Sequence, residues 1–428
     1  MVDFKKLSDE RRQQKKNKTM PLTSEQQNAL KMAQNNSVFI LTGAPGVGKT
    51  FTLKAILEWA ASERMTVAQA SPTGKAAKQM TAATGKRATT IHSLLQPRRG
   101  NNGSFIFGMN EDNKLLEDLI VLDECSMVTN ALMASVMKAI DVKKTRLLLV
   151  GDHYQLPSVG AGAILRDLIA SGRIPCTELT EIQRNSGDIV KACHRIKDGK
   201  YYQPSEKLDP DNGLNLRHIE CRSPERIQEI IRQVVTGRMV ERGFNPTWDV
   251  QVLSPTNERT ILSCAGLNKV LQAELNPNPK LENTIFRVDD KVIQTKNEKI
   301  KTPTGGEELV VNGDMGTIID ISLKKKQIVV KFDNPDRTVS VPLRGKGNKL
   351  LLAYCITVHR FQGSEAPVII VPVHSGFNFF INRPWLYTAI SRAQSICITV
   401  GEFSTVEKAI DTQMVLHRKT FLREKLIN

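Results

Sequence analysis

Short apolar runs alternate along the chain with longer stretches whose apolar residues recur at helical spacing, the pattern of an α/β protein. Val38 to Leu41 is the first run, Thr66 to Ala70 the second, Leu119 to Leu122 the third and Arg146 to Val150 the fourth. Asp249 to Ser254 and Ile396 to Val400 repeat the pattern in the second half. Runs this short without a polar face predict parallel strands covered by helices on both sides. A helix is predicted from a cap at Thr23 or Ser24 to about Gln34, and another from the loop after the first run to about Trp59. Two stretches break the pattern. Residues 96 to 113 set glycines and asparagines around a small apolar group, which predicts a projecting hairpin with Arg98 and Arg99 at its base. From about Ile285 to Leu352 the texture becomes short alternating strands, KVIQT, GTIIDI, QIVVKF and RTVSVPL, separated by Gly, Asn and Asp turns. Residues 185 to 250 read as helical and polar with a loop near Pro204 to Asn215, and residues 403 to 428 as a basic helical tail. Residues 1 to 20 carry Lys5, Lys6, Arg11, Arg12, Lys15, Lys16 and Lys18 with almost nothing to bury, and read as a flexible basic arm.

A length of 428 residues implies two or three domains. The formal charge of +16 favours a polyanionic partner, or a merely basic surface. Seven cysteines lie scattered without a C-x-x-C pair or a zinc-like His spacing, which argues against a disulfide scaffold or zinc module and for reduced thiols in a cytoplasmic protein. No apolar run is long enough to span a bilayer, so no membrane partner is expected.

Candidate chemistry sits at the ends of the runs. Gly43-Ala44-Pro45-Gly46-Val47-Gly48-Lys49-Thr50-Phe51 follows the first run and opens a helix, the context a P-loop requires. Its glycines turn backbone N–H groups around phosphate oxygens, Lys49 reaches the β- and γ-phosphates of ATP, and the Thr50 hydroxyl holds Mg²⁺. The third run ends in Asp123 and Glu124, suited to hold Mg²⁺ through water and to activate the attacking water. After the fourth run, Gln155 is placed to sense the γ-phosphate, and Arg184 is an arginine of the kind that stabilises charge on a transferred phosphoryl group. Gln26, ahead of the P-loop strand, offers an amide to an adenine edge. Pro72, Thr73, Gly74 and Lys75 end the second run, and Thr90, His92 and Ser93 follow. Hydroxyls, exposed N–H groups and a lysine there suit a second phosphate chain, as do Thr256 and Asn257 after Ser254.

The ordered blocks GAPGVGKT, SPTGKAA, TIHSLL, VLDECSM, GDHYQLP, LTEIQRN, VLSPTNE, ITVHRFQGSE and LYTAISRA resemble the superfamily 1B DNA helicases, in their RecD-like branch, over roughly residues 21 to 401. The resemblance implies two tandem RecA-like motor domains with parallel sheets and a small inserted SH3-like β-barrel. Its boundaries would be 21–180 for the first motor domain with the 96–113 insertion, 181–284 with 352–428 for the second, and 285–351 for the barrel. It also implies ATP and Mg²⁺ as ligands, single-stranded DNA and single-strand/duplex junctions as substrates, replication or recombination proteins as partners, and 5′ to 3′ movement. Thr357, His359 and Gln362 would then face DNA, Glu365 the nucleotide side, and Arg392 would be a second arginine finger. Many relatives have Lys-Ser where this chain has Arg360-Phe361, so Phe361 either stacks on a base or packs into the domain. A short arm ahead of the motor fits a compact bacterial, phage or plasmid version. The alternative within the same fold is a translocase or remodelling factor that displaces proteins or anneals DNA with little unwinding.

Overall fold

The computed structural model describes residues 21–99, 105–181, 187–332, 336–345, 347–413 and 422–427. The first sheet is built from β1 (Val38–Gly43), β2 (Val67–Ser71), β3 (Ala88–Thr90), β6 (Leu119–Leu122), β7 (Arg146–Gly151) and β8 (Cys176–Leu179). All are parallel, in the order β3-β2-β6-β7-β1-β8. Successive side chains leave opposite faces, so the apolar runs feed two cores. Phe39, Leu41, Leu148 and Val150 pack with the helices Ser24–Asn35 and Lys49–Ser62. Ile40, Leu147 and Leu149 pack with the helices Asn130–Ala139 and Ile164–Ser171 on the other side. Because every strand runs the same way, Gly43, Ser71, Leu122 and Gly151 end along one edge, where open α/β sheets place ligands. A two-stranded hairpin, β4 (Pro97–Arg99) and β5 (Phe105–Phe107), stands beside this sheet.

The second sheet is also all parallel: β18 (Cys355–Thr357), β10 (Val250–Ser254), β19 (Ala366–Val373), β20 (Ala393–Gly401) and β9 (Leu216–Glu220), in that order. β9 corrects the helical reading of residues 185 to 250. Leu216 pairs with Cys397 and Ile219 with Val400, yet β9 is an edge strand with only Leu216 fully buried, so its sequence lacks the apolar run that betrays a central strand. Around it the expected helices do form, at Asp188–Lys197 and Pro224–Gln233.

Between β10 and β18 the chain makes an antiparallel sheet in the order β16-β15-β14-β11-β17, from β11 (Lys291–Gln294), β14 (Met315–Ser322), β15 (Gln327–Phe332), β16 (Arg337–Pro342) and β17 (Leu350–Leu352). An irregularity between Ile318 and Asp320 lets β14 bend, and Val292, Ile318, Ile328, Val330, Phe332 and Val339 fill the enclosed core. A second hairpin, β12 (Glu298–Lys301) with β13 (Glu307–Val310), flanks it. The insertion is anchored to the second sheet through Asp290, which accepts from Gln272 Nε2 at 2.6 Å, Asn276 Nδ2 at 2.8 Å and Tyr354 Oη at 3.0 Å. Its other flank meets the first domain. Lys78 Nζ lies 2.7 Å from Asp314 Oδ1, Arg337 holds the other carboxylate oxygen, and Gly74 lies so close to Val311 that a Cβ there would stand 2.2 Å from Val311 Cγ2.

Five of the seven cysteines are buried, and all seven are free thiols. Among the described residues no helix is long and apolar enough to cross a membrane. The helices Phe403–Asp411 and Leu422–Ile427 follow the second sheet. The basic arm at residues 1 to 20 lies outside the described residues.

Candidate nucleotide site and nucleic-acid channel

β1 ends at Gly43 and the helix Lys49–Ser62 begins six residues on, so the intervening loop wraps the helix N-terminus. Its backbone requires glycine. Gly46 and Gly48 have φ of 83° and 90°, and a Cβ on Gly43 would lie 2.6 Å from the Leu179 carbonyl. Ala44 and Val47 are buried and fix the loop to the core, while Thr50 and Phe51 face solvent. Thr52, Leu53, Ile56, Leu57 and Ala60 bury the inner face of the helix and hold its N-terminus in place. Lys49 Nζ donates to the carbonyls of Gly43 at 2.6 Å and Ala44 at 3.0 Å, which poises the ammonium over the loop.

Asp123 and Glu124 emerge beside this loop at the end of β6. The Asp123 backbone is bonded to the Ala70 carbonyl, and its Oδ1 accepts from the Glu124 N–H at 2.7 Å. Burial raises the Asp123 pKa, while that bond and Lys49 oppose the rise. Burial, against the opposing pull of the Arg392 guanidinium, pushes Glu124 up to about 7, a value suited to proton transfer near neutrality. Arg392 comes from the other domain. Its Nη1 lies 4.0 Å from Glu124 Oε1, the residue is 4% exposed, and its Nε has no hydrogen-bond partner among the described residues. A buried guanidinium left so sparsely bonded is matched to an anion in the cleft. Gln26 gives a second such sign. Its Oε1 accepts from the Thr23 N–H in a capping box, which ties the expected adenine acceptor to the helix, whereas the buried Nε2 has no partner among the described residues and remains as a donor. These orphaned donors, with the glycine loop, fit a nucleoside triphosphate; Thr50 and Asp123 supply the oxygens a magnesium ion prefers. Glu365 is exposed and accepts from Gln394 Nε2, one residue after Ser364, whose carbonyl faces Arg392. Arg184 lies outside the described residues.

The loop after β7 ties the two domains together, which sequence reasoning missed. Asp152 accepts from Tyr387 Oη at 2.6 Å and from Gln155 Nε2 at 3.3 Å. The Leu156 N–H donates to Thr388 Oγ1 at 2.9 Å, and Gln362 Nε2 donates to the Leu156 carbonyl at 2.9 Å. Gln155 is therefore held on the same buried carboxylate as the helix Arg383–Ser391 that precedes Arg392. Tyr387→Phe should lower the unfolding free energy by about 1–3 kcal/mol, because Asp152 would keep its burial and lose a donor; a urea titration that leaves the midpoint unmoved would show that the link contributes nothing.

A cavity of about 570 Å³ runs between the first domain, the second domain and the insertion. It gathers Pro72, Thr73, Lys75 and His92 from the first, His359, Arg360 and Gln362 from the second, and Asn312 and Gly313 from the insertion, with Phe107 of the hairpin on its wall. Thr73, Thr90 and Thr357 each cap a helix, accepting from the N–H of Ala76, Ser93 and Arg360, which leaves the hydroxyl hydrogens of Thr73 and Thr357 to donate. Ser93 Oγ shares a hydrogen bond with Thr90. Burial lowers the pKa of His92 and His359 and keeps both neutral at pH 7, and it draws Lys75 down to about 8 with Asp314 opposing. Phe361 is buried and its ring faces the Lys75 ammonium at 5.0 Å, which settles it as a packing residue. Gly74 is turned to Val311 and does not line the cavity. Thr256 is buried, and Asn257 accepts from Arg360 at the cavity's edge. Val159, which sequence reasoning did not single out, stands 85% exposed on the lining.

Three family models match in order: an AAA domain at residues 21–214, the SH3 domain of ATP-dependent RecD-like DNA helicases at 267–332, and a UvrD-like helicase C-terminal domain at 352–400. The ATP-dependent RecD2 DNA helicase of Deinococcus radiodurans is 31% identical over 95% of this chain, which spans 52% of that protein, about half its length. The RecBCD enzyme subunit RecD of Mycolicibacterium smegmatis is 29% identical over 94% of this chain and 74% of its own. Among solved structures, Bacteroides Pif1 bound to ssDNA superposes with a TM-score of 0.50 at 19% identity, covering 89% of this chain and 92% of that one. A structure of two coordinating Pif1 helicases at forked dsDNA gives 0.52 at 19% identity with the same coverage. The likeness to both establishes a shared fold, two RecA-like parallel sheets with an SH3-like insertion.

Proposed function

The chain belongs to the RecD-like branch of the superfamily 1B DNA helicases, and from that premise we propose that it is an ATP-driven motor that moves 5′ to 3′ on single-stranded DNA and separates duplex ahead of it. The observation that carries this reading is the meeting of Arg392 with Glu124 across the same interdomain cleft that the cavity borders. A phosphoryl-transfer site whose parts come from two domains is complete only when they close, and closure alters the distance between the two sets of DNA-facing residues.

In this reading residues 21–180 form the first motor domain, 181–284 with 352–428 the second, and 285–351 the barrel. Lys49 positions the β- and γ-phosphates, Glu124 takes the proton of the attacking water, Gln155 orients that water, and Arg392, with Arg184, stabilises charge on the departing phosphoryl group. Thr50, and Asp123 through water, would hold Mg²⁺, which would supply further charge neutralisation. Pro72, Thr73, Lys75 and His92 grip the strand from one domain, and Thr357, His359 and Gln362 from the other. Support for a nucleic-acid partner comes from the formal charge of +16 and from a lining that sets Lys75 and Arg360 among hydroxyl and imidazole groups, which suits backbone contacts without sequence readout. The direction of movement rests on family membership. The substrates are single-stranded DNA and junctions, and the partners are proteins of replication or recombination.

ATP-dependent strand separation on matched duplexes with a 5′ or a 3′ single-stranded tail tests the reading. Opening of the 5′-tailed duplex alone is expected. Opening of the 3′-tailed one alone would overturn the direction, and DNA-stimulated ATP turnover with neither opened would replace unwinding by remodelling.

A further inference from the structure

Among the described residues of the second domain, Phe379 is the most exposed large apolar side chain, at 91%, in the loop between β19 and the helix Arg383–Ser391. Its ring meets Phe380 edge-on, with centroids 5.6 Å apart and planes at 85°. Phe380 is half-buried against the core and anchors the pair, and the Arg259 guanidinium lies 5.9 Å from its ring centroid. Arg259 stands two residues after Asn257, which accepts from Arg360 Nη1 at 3.2 Å, and Arg360 lines the channel. A continuous surface therefore leads out of the channel from Arg360 through Asn257 and Arg259 to the two rings. Exposed aromatics alternating with guanidinium groups match an unpaired strand, whose bases offer π-faces and whose backbone offers negative charge at regular intervals. A protein partner would be served by an apolar patch, but here the rings are interleaved with cations and continue an existing polar track.

We propose that Phe379 is a stacking platform for a base of the single strand where it leaves the channel over the second domain, with Arg259 and Arg360 contacting the backbone beside it. The proposal rests on the motor reading. Its test is binding of oligothymidylates of increasing length to the full chain and to Phe379→Ala and Phe379→Trp. Phe379→Ala should weaken the longer oligomers by about 5- to 100-fold while leaving those short enough to fill only the channel at wild-type affinity. Phe379→Trp should restore the long-oligomer affinity and show fluorescence quenching with long oligomers alone. Wild-type affinity of Phe379→Ala for every length, or equal weakening at every length, would overturn the platform. A wild-type chain that binds no oligomer would instead remove the motor reading and the platform with it, an outcome distinct from both.

Discussion

Replacing Lys49 by alanine is expected to cut DNA-stimulated ATP turnover by about 10²- to 10³-fold or more, with the fold intact. The ammonium makes its hydrogen bonds to the carbonyls of Gly43 and Ala44 and holds the loop through nothing deeper, so its loss costs little structure. The substitution also places the best helix former in the first turn of the helix Lys49–Ser62. What disappears is the cation that both Asp123 and Glu124 sense and that phosphate oxygens would bind. Phosphate release measured beside a thermal melt checks both halves of the expectation. A variant with an unshifted melt that still turns over ATP would overturn the assignment of the loop.

Why so much of this could be read in advance is visible in β1, β6 and β7. They are buried on both faces, so their sequences are unbroken apolar runs, and parallel order brings their polar ends to one edge. The P-loop and the Asp123-Glu124 pair sit at those ends and are legible for the same reason. β9 was not, because an edge strand that carries the polar Arg217 and His218 between Leu216 and Ile219 has no such run. The interdomain bonds were hidden for a different reason. Asp152 and Tyr387 are 235 residues apart and each is locally ordinary, so only the fold reveals that the carboxylate and the phenol share one buried bond. Gln362 shows the limit of motif reading in a single side chain. It lines the channel where DNA contact was expected, yet one of its two amide N–H donors is already engaged with the Leu156 carbonyl, so a strand contact falls to the second N–H or to Oε1. Likewise Gly74 belongs to the turn facing the channel, but its missing side chain makes room for Val311 of the insertion.

Arg392→Ala should spare ATP binding and lower turnover by about 10³- to 10⁵-fold, the range for loss of an arginine that acts on the transition state. The side chain is buried, but its bonds within the protein are few and long: Nη1 to the Ser364 carbonyl at 3.5 Å and Nη2 to Ser391 Oγ at 3.4 Å, with Nε unpartnered. Little folding energy depends on such contacts, so a guanidinium held there is better explained by a ligand than by the core. Its presence 4.0 Å from Glu124 joins the two domains only through charge, and that is the arrangement needed for a contact made on closure and broken on opening. Arg392→Lys should recover little, because an ammonium keeps the charge and loses the planar fork that meets phosphate oxygens in pairs. Nucleotide affinity from equilibrium titration and turnover at saturating ATP separate the two roles available to the residue. If affinity falls and turnover at saturation is unchanged, Arg392 is a binding residue, and the coupling of closure to hydrolysis must pass through the Asp152–Tyr387 bond or Arg184 instead.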